Sequence, residues 1–421
     1  MVAGAEVFRL NASHGNQEDH RARIVRIREI AESLEKNVAI LLDLQGPKIR
    51  LGRFEGGTCR LETGQRFTIT TEERLGNSEI ASTNYEHLSR DVRRGDRILL
   101  ADGSVTLEVI STDGTAAVCE VISGGEIGDR KGINLPGVNL SLPSLTEKDL
   151  HDLEFGLREK VDMFALSFIR RARDVQIMRA VIEAKGQPEV PLIAKIEKPE
   201  AWESLEEILE VSDGVMVARG DLGVEMDLAA LPAIQKSIIA RTRKSGKFVI
   251  TATQMLESMI NSPLPTRAEV SDVANAIYDG TDAVMLSGAT SVGRFPVETV
   301  RMMARIAEQA EQAIVGLNQR EAFQEHHYET GAEIVAEAAF LAARAAKVSA
   351  IAVFTYTGAN ARLVARYRNT MPIYVFTPQQ ETARLLAPVY GVRPIITDQI
   401  ASTDDMLREM DRLAVERGWL K

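Results

Sequence analysis

Pro191-Leu-Ile-Ala-Lys-Ile-Glu197 and, after a helix-like interval, Ser212-Asp-Gly-Val-Met-Val-Ala-Arg-Gly-Asp-Leu-Gly-Val-Glu225 decide how the chain is read. The apolar runs at 192–196 and 214–217 have the length of buried parallel strands, and each ends in charge. Lys195 and Glu197 lie two apart, so strand alternation directs both to one side. Asp221 follows the second run in a Gly-Asp-Leu-Gly segment, expected to be a turn in which glycine lets the backbone approach a ligand. Such charges are costly to bury unpaired. Two readings are open: Lys195 makes a structural ion pair with a carboxylate, or Glu197 and Asp221, which offer only oxygen, hold a hard divalent cation such as Mg²⁺. In the second reading Lys195 faces the anion bound at the metal.

A chain of 421 residues is too long for one small core and implies two or three domains. Its 45% hydrophobic and 26% charged residues place it in the ordinary globular class. No apolar run has bilayer-spanning length and no signal peptide opens the chain, so a cytoplasmic protein without a membrane partner is expected. Cys59 and Cys119 are far apart and lack metal-ligand spacing, which argues against a disulfide framework or a zinc site. The net charge of −10 argues against nucleic acid as a partner. An acidic protein that binds anions must gather positive charge locally.

In chain order, a strand at 7–10 carries Arg9 inside an apolar run and leads into Asn11-Ala-Ser-His-Gly15. A solvated turn would account for Asn11, Ser13 and His14 but not for Arg9. Residues 21–36 read as an amphipathic helix through Ile24, Ile27, Ile30 and Leu34. The strand at 39–42 ends at Asp43 and runs into Gln-Gly-Pro-Lys-Ile-Arg50. From about residue 52 to 142, alternating runs at 66–70, 97–100, 106–110 and 117–122 indicate a small antiparallel β domain. Lys131-Gly-Ile-Asn-Leu-Pro-Gly137 makes the return crossing, with Lys131 either a linker charge or a phosphate contact.

Strand–helix alternation then resumes, with a capping box from Thr146 to Asp149 and strands at 163–168, 192–196, 214–217, 248–251 and 283–286. A helix runs from Pro296 to about Leu317. Seven strands outside the insert imply an α/β fold: a (β/α)8 TIM-type barrel lacking its first strand–helix unit. Barrels of this kind gather their sites at strand C-terminal ends, where the polar residues fall. A polar joint at 319–329 precedes a smaller open α/β pattern, with strands at 350–355, 372–377 and 392–396. The expected domains are a catalytic barrel at 1–47 and 143–317, a β-barrel lid at 48–142, and a C-terminal α/β regulatory domain at 318–421. The chain reads as clipped at both ends.

Arg9-Leu-Asn-Ala-Ser-His-Gly15, Asp43-Leu-Gln-Gly-Pro-Lys-Ile-Arg50, Lys131 to Gly137, Ile193-Ala-Lys-Ile-Glu197, Met216-Val-Ala-Arg-Gly-Asp-Leu-Gly223 and Thr251 to Met259 together resemble the pyruvate kinases. The resemblance covers essentially the whole chain and implies phosphoryl transfer from phosphoenolpyruvate to ADP, giving pyruvate and ATP. It implies Mg²⁺ or Mn²⁺ on Glu197 and Asp221, and Lys195 stabilising the transferring phosphoryl group and the enolate. Thr253 would lie beside the proton-donating water chain and Arg9 against the phosphate, while Gly220 and Asp221 would offer amides to the substrate carboxylate. Asn11, His14, Arg50 and Lys131 match nucleotide contacts, and a homotetramer is the family's common assembly.

Three departures from the family pattern carry expectations of their own. Leu44 and Lys48 replace a threonine and a glutamate of members that require K⁺. Leu44 removes an oxygen from the monovalent-cation region of Asn11, Ser13 and Asp43, and the Lys48 ammonium is expected to replace the ion. Ala289 stands where the family usually has glutamate. The loop Thr355-Tyr-Thr-Gly-Ala-Asn360 only partly matches a regulatory phosphate loop, so activation by sugar phosphates is not expected. The rival readings are a lyase or mutase acting on phosphoenolpyruvate or pyruvate, which would turn over without ADP, and an inactive fragment that keeps the motifs.

Overall fold

The computed structural model describes residues 1–317, 330–368, 371–398, 402–416 and 418. The joint expected at 319–329 and the terminal residues 419–421 lie outside the described residues. Seven parallel strands form one sheet in sequence order: β1 (Val7–Asn11), β2 (Ala39–Asp43), β3 (Met163–Leu166), β4 (Leu192–Ile196), β5 (Gly214–Ala218), β6 (Phe248–Ala252) and β7 (Ala283–Val284). The helices that position the site or cover this sheet include α1 (Gln17–Ser33), α2 (Glu147–Arg158), α3 (Ala172–Ala184), α4 (Arg219–Glu225), α5 (Leu231–Lys244), α6 (Arg267–Tyr278) and α7 (Pro296–Leu317).

Alternation along the strands sorts residues into two apolar layers. Ile40, Leu42, Phe164, Leu166, Ala194, Ile196 and Val217 pack with Ile24, Leu153, Met178 and Ile238 of the helices. Ala39, Leu41, Ala165, Ile193, Met216 and Ile250 make the other layer, inside the barrel. Continued by the same period, the inner row passes from Leu41 to Asp43 and from Ile193 to Lys195 and Glu197. The interior is therefore apolar at the strand starts and charged at their ends.

The strand starts hold charge of another kind. Asp162, Asp213 and Asp282 each stand immediately before β3, β5 and β7. Each carboxylate accepts the amide of a residue at the start of the preceding strand: Ile40 at 2.6 Å, Leu192 at 2.8 Å and Val249 at 2.9 Å. Each also takes an arginine, Arg28, Arg179 and Arg368 respectively.

Several boundaries differ from expectation. α1 starts at Gln17 because Asn16 and Asp19 form a complete capping box, a start hidden in a uniformly polar stretch. The segment around Asp221 is helical, α4, and not a turn: packing of buried Leu222 overrides the low helix propensity of Gly220 and Gly223. β3 stops at Leu166, since Phe168 has φ +57° and cannot continue a strand.

The insert builds a six-stranded sheet and a two-stranded one around its own core of Phe67, Ile69, Ile98, Leu107 and Val121. It is not wholly antiparallel, because Arg66–Thr70 pairs in parallel with Ile80–Ser82. Both connections to the barrel are pinned. Asp149 accepts the Gly46 amide at 2.9 Å on the way out. On the way back Arg170 donates to the carbonyls of Leu140 and Leu142 at 2.9 and 2.8 Å.

After α7 the chain forms α8 (Gly331–Ala346) and a three-stranded parallel sheet of β8 (Ile351–Phe354), β9 (Ile373–Thr377) and β10 (Val392–Ile396). This unit sits on the strand starts of the barrel, where Arg384 meets Asp162 and Arg368 meets Asp282, each at 3.0 Å.

Candidate active site

β2 and β4 bring the central charges together. Lys195 Nζ lies 2.7 Å from Glu197 Oε1 and 3.3 Å from Asp43 Oδ1, and donates to Ser167 Oγ at 2.7 Å. Arg9 Nε lies 2.6 Å from Asp43 Oδ2. Lys195, Asp43 and Glu197 are all buried. Burial alone would lower the Lys195 pKa, but Asp43 and Glu197 more than offset it and hold the ammonium above its ordinary value. Burial would raise Asp43, yet Lys195 and Arg9 hold it below the usual carboxylate range. Glu197 goes the other way: burial, joined by the charge of Asp221, outweighs Lys195 and raises it.

Of the two readings left open for Lys195, the ion pair is present in the structure. The Glu197 carboxylate beside it remains short of positive charge. Glu197 Oε2 accepts the Phe168 amide at 2.8 Å and no other hydrogen bond among the described residues. Among the described residues, Asp221 has neither a hydrogen bond nor an ion pair on its carboxylate. Two carboxylates that repel one another and present only oxygen suit a hard divalent cation. Among the described residues no three His, Cys, Asp or Glu side chains gather for a metal, so a cation held here would take its remaining ligands from substrate and water.

The end of β6 contributes Thr253. Its φ of +69° puts a β-branched residue in the left-handed region, followed by Gln254 and Leu256 with the same hand. The fold fixes this conformation from three directions. Thr253 Oγ1 donates to the Ala252 carbonyl at 2.6 Å and accepts the Gly220 amide at 2.8 Å. Arg219 donates to the Thr253 carbonyl at 2.7 Å while gripping Asp272 with two bonds of 2.6 and 2.8 Å. The Gly220 amide expected to serve the substrate thus serves Thr253 in this structure.

The remaining candidates surround this centre. Ser13 donates its amide to Asn11 Oδ1 at 3.0 Å, and Asn11 pairs in register with Asp43. His14 and Lys131 are exposed, and Arg50 donates to the Arg130 carbonyl at 3.0 Å on the lid's neck. Lys48 and Asp221 line one narrow cleft between insert and barrel, and no ion pair joins Lys48 to Asp43 among the described residues. Leu44 is buried in the main core. Ala289 is fully buried in the apolar cluster of Met255, Leu256 and Met259. Ser167, Phe168, Lys198, Arg219 and Glu225 were not singled out from sequence; a hydroxyl and charges interrupting or ending apolar runs were the available signal.

Comparison with known proteins agrees with this geometry. Residues 1–300 match the family description "Pyruvate kinase, barrel domain", and residues 333–421 match "Pyruvate kinase, alpha/beta domain". Over 425 residues the chain is 42% identical to the pyruvate kinase of Clostridium acetobutylicum, covering all of this chain and 89% of that protein. It is 45% identical to that of Corynebacterium glutamicum, covering 97% of this chain and 85% of the relative. The crystal structure of a pyruvate kinase from Cryptosporidium parvum superposes with a TM-score of 0.93 at 38% identity, covering all of this chain and 87% of that one. A buried lysine between carboxylates at the ends of parallel barrel strands, an inserted β unit with its own core and a matching C-terminal sheet lead to one conclusion: the chain belongs to the pyruvate kinase family.

Proposed function

We propose that the cleft between barrel and lid performs the family's reaction, transfer of the phosphoryl group of phosphoenolpyruvate to ADP, with each candidate residue in a defined role. The observation that carries this reading is the buried Lys195, held cationic by Asp43 and Glu197 at the strand ends, one residue before the cleft-lining Lys198 in the case of Glu197. Phosphoryl transfer needs alignment and charge neutralisation more than covalent help. Lys195 supplies fixed positive charge to the transferring group and to the enolate left behind. Arg9, oriented by Asp43, faces the phosphate. Glu197 and Asp221 would hold Mg²⁺, which neutralises phosphate charge when bound. Thr253, locked by Arg219 and Gly220, orients the water that protonates the enolate at carbon; a hydroxyl positions a proton donor better than it acts as one. Asn11, His14, Arg50 and Lys131 contact the nucleotide phosphates, and the lid excludes water that would otherwise accept the phosphoryl group.

The domain division that fits this reading is a barrel of residues 1–47 and 143–317, a lid of 48–142 and a C-terminal unit of 318–421. The test is pyruvate formation from phosphoenolpyruvate, ADP and Mg²⁺ by the full chain, with Lys195→Met as the blank. Turnover that continues without ADP, or that survives Lys195→Met, would refute the assignment.

The family generally uses Mg²⁺ and usually K⁺. For this chain we infer activity without K⁺. Support comes from Leu44, which is buried among apolar side chains and offers no oxygen, and from Asp43, whose carboxylate is already engaged by Arg9 and Lys195. Lys48 on the cleft wall supplies the monovalent charge. Rates in K⁺ and in Na⁺ at equal ionic strength are expected to agree, and the double change Leu44→Thr, Lys48→Glu to introduce stimulation by K⁺. A strong K⁺ stimulation of the unmodified chain contradicts the inference.

A further inference from the structure

Asp221 and Glu225 lie four residues apart on α4, so their side chains share one face of that helix. Lys198 directly follows Glu197 at the exit of β4. Its ammonium lies 2.5 Å from Glu225 Oε1, and the same oxygen accepts a hydrogen bond from Asn134 Nδ2 of the lid at 2.9 Å. The Glu225 side chain is 1% exposed and that of Lys198 10%. Lys198 and Asp221 line the same cleft, with the Phe168 ring 5.8 Å from the ammonium. A buried ammonium must find a carboxylate. Carboxylates near this segment include Glu197 and Glu200 close to it in sequence, Asp221 on the same cleft, and Glu225. The structure places it on Glu225.

We propose that Glu225 is a positioning residue that holds Lys198 away from Glu197 and Asp221, keeping that pair open to a divalent cation, with Asn134 fixing the carboxylate from the lid side. Without this hold, Lys198 turns to the two carboxylates and competes with the metal as a tethered cation. Glu225 thereby ties the lid's return strand to the elements that carry both metal-binding carboxylates. The inference rests on Glu197 and Asp221 being the metal pair.

The experiment is Mn²⁺ binding to the full chain without substrate, read from the electron paramagnetic resonance signal of free Mn²⁺. Glu225→Gln is expected to raise the Mn²⁺ Kd about tenfold, the scale on which a neighbouring charge acts on an ionic equilibrium. Adding Lys198→Met to Glu225→Gln should bring the Kd back to within about threefold of the unmodified chain, because the competitor is gone and the two changes are not additive. Lys198→Met alone should bind at least as tightly as the unmodified chain. The proposal fails if Glu225→Gln leaves the Kd unchanged, if Lys198→Met does not restore it, or if Lys198→Met alone weakens binding. Asp221→Asn separates the two layers: normal Mn²⁺ binding there overturns the metal pair itself, whereas lost binding there with a normal Glu225→Gln overturns only the role of Glu225.

Discussion

At the strand starts of the barrel, Asp162, Asp213 and Asp282 each accept a backbone amide from the preceding strand and meet an arginine. At the strand ends, Asp43 and Glu197 are buried at least as deeply and share Lys195; Arg9 adds a second cation on Asp43 alone, and Asp221 beside them has no partner among the described residues. Left-handed backbone occurs at both ends, at Glu35 and Lys160 before β2 and β3 and, in greater number, at Phe168, Thr253, Gln254 and Leu256 after β3 and β6. At the strand starts each carboxylate has an amide and at least one arginine, and these pairs bind the sheet to the elements around it. Glu197 and Asp221, left short of a counter-ion, suit a cationic ligand.

The largest effect that tests this contrast is at Lys195. Lys195→Met should lower kcat by on the order of 10² to 10³. Asp282→Ala, at the opposite end, should remove roughly 3 kcal/mol of stability by stranding Arg368 and the Val249 amide, while turnover per folded molecule stays within about twofold. Thermal melts and kcat measured on both proteins decide the matter. Equal loss of turnover in the folded Asp282 variant would erase the distinction between the two ends.

Arg219 sharpens the comparison because it is matched, like Arg28, Arg179 and Arg368, and yet holds Thr253, the residue proposed to orient the protonating water. Arg219→Lys cannot keep both bonds to Asp272 and the bond to the Thr253 carbonyl. The released Thr253 should cost about ten- to a hundredfold in kcat, with a smaller change in the KM for phosphoenolpyruvate. A KM effect without a kcat effect would show that Thr253 serves binding and not protonation.

The strands and the central charges were legible because both are local signals: apolar runs of strand length, and Lys195 and Glu197 breaking one of them at period two. The matched end was not legible, although Val-Asp162, Ser-Asp213 and Thr-Asp282 precede three strands in the same way. An aspartate before a strand reads as an ordinary turn residue, and its arginine partner lies on another element, as far away as Arg368 is from Asp282. Glu225 was hidden for the same reason, with its lid partner Asn134 91 residues away in sequence. The helix around Asp221 was misread because two glycines in seven residues outweigh, locally, the packing that decides the outcome.

The smallest effect compares one carboxylate from each end by pH. Asp43 is held below its ordinary value, since Lys195 and Arg9 overcome burial. Its contribution to stability is present above the unfolded pKa of about 3.9 and is lost as pH falls through the lower folded value. Asp162 is raised, because burial outweighs Arg28 and Arg384. Its contribution is complete below about 3.9 and is lost as pH rises through the folded value. Between about pH 3 and pH 6, then, the stability advantage of the unmodified chain over Asp43→Asn should grow, while its advantage over Asp162→Asn should shrink. Melting temperatures of the three proteins across that interval give both slopes. Slopes of the same sign would mean that the two carboxylates feel the same balance of burial and counter-charge, and that the ends of the barrel differ in position but not in electrostatics.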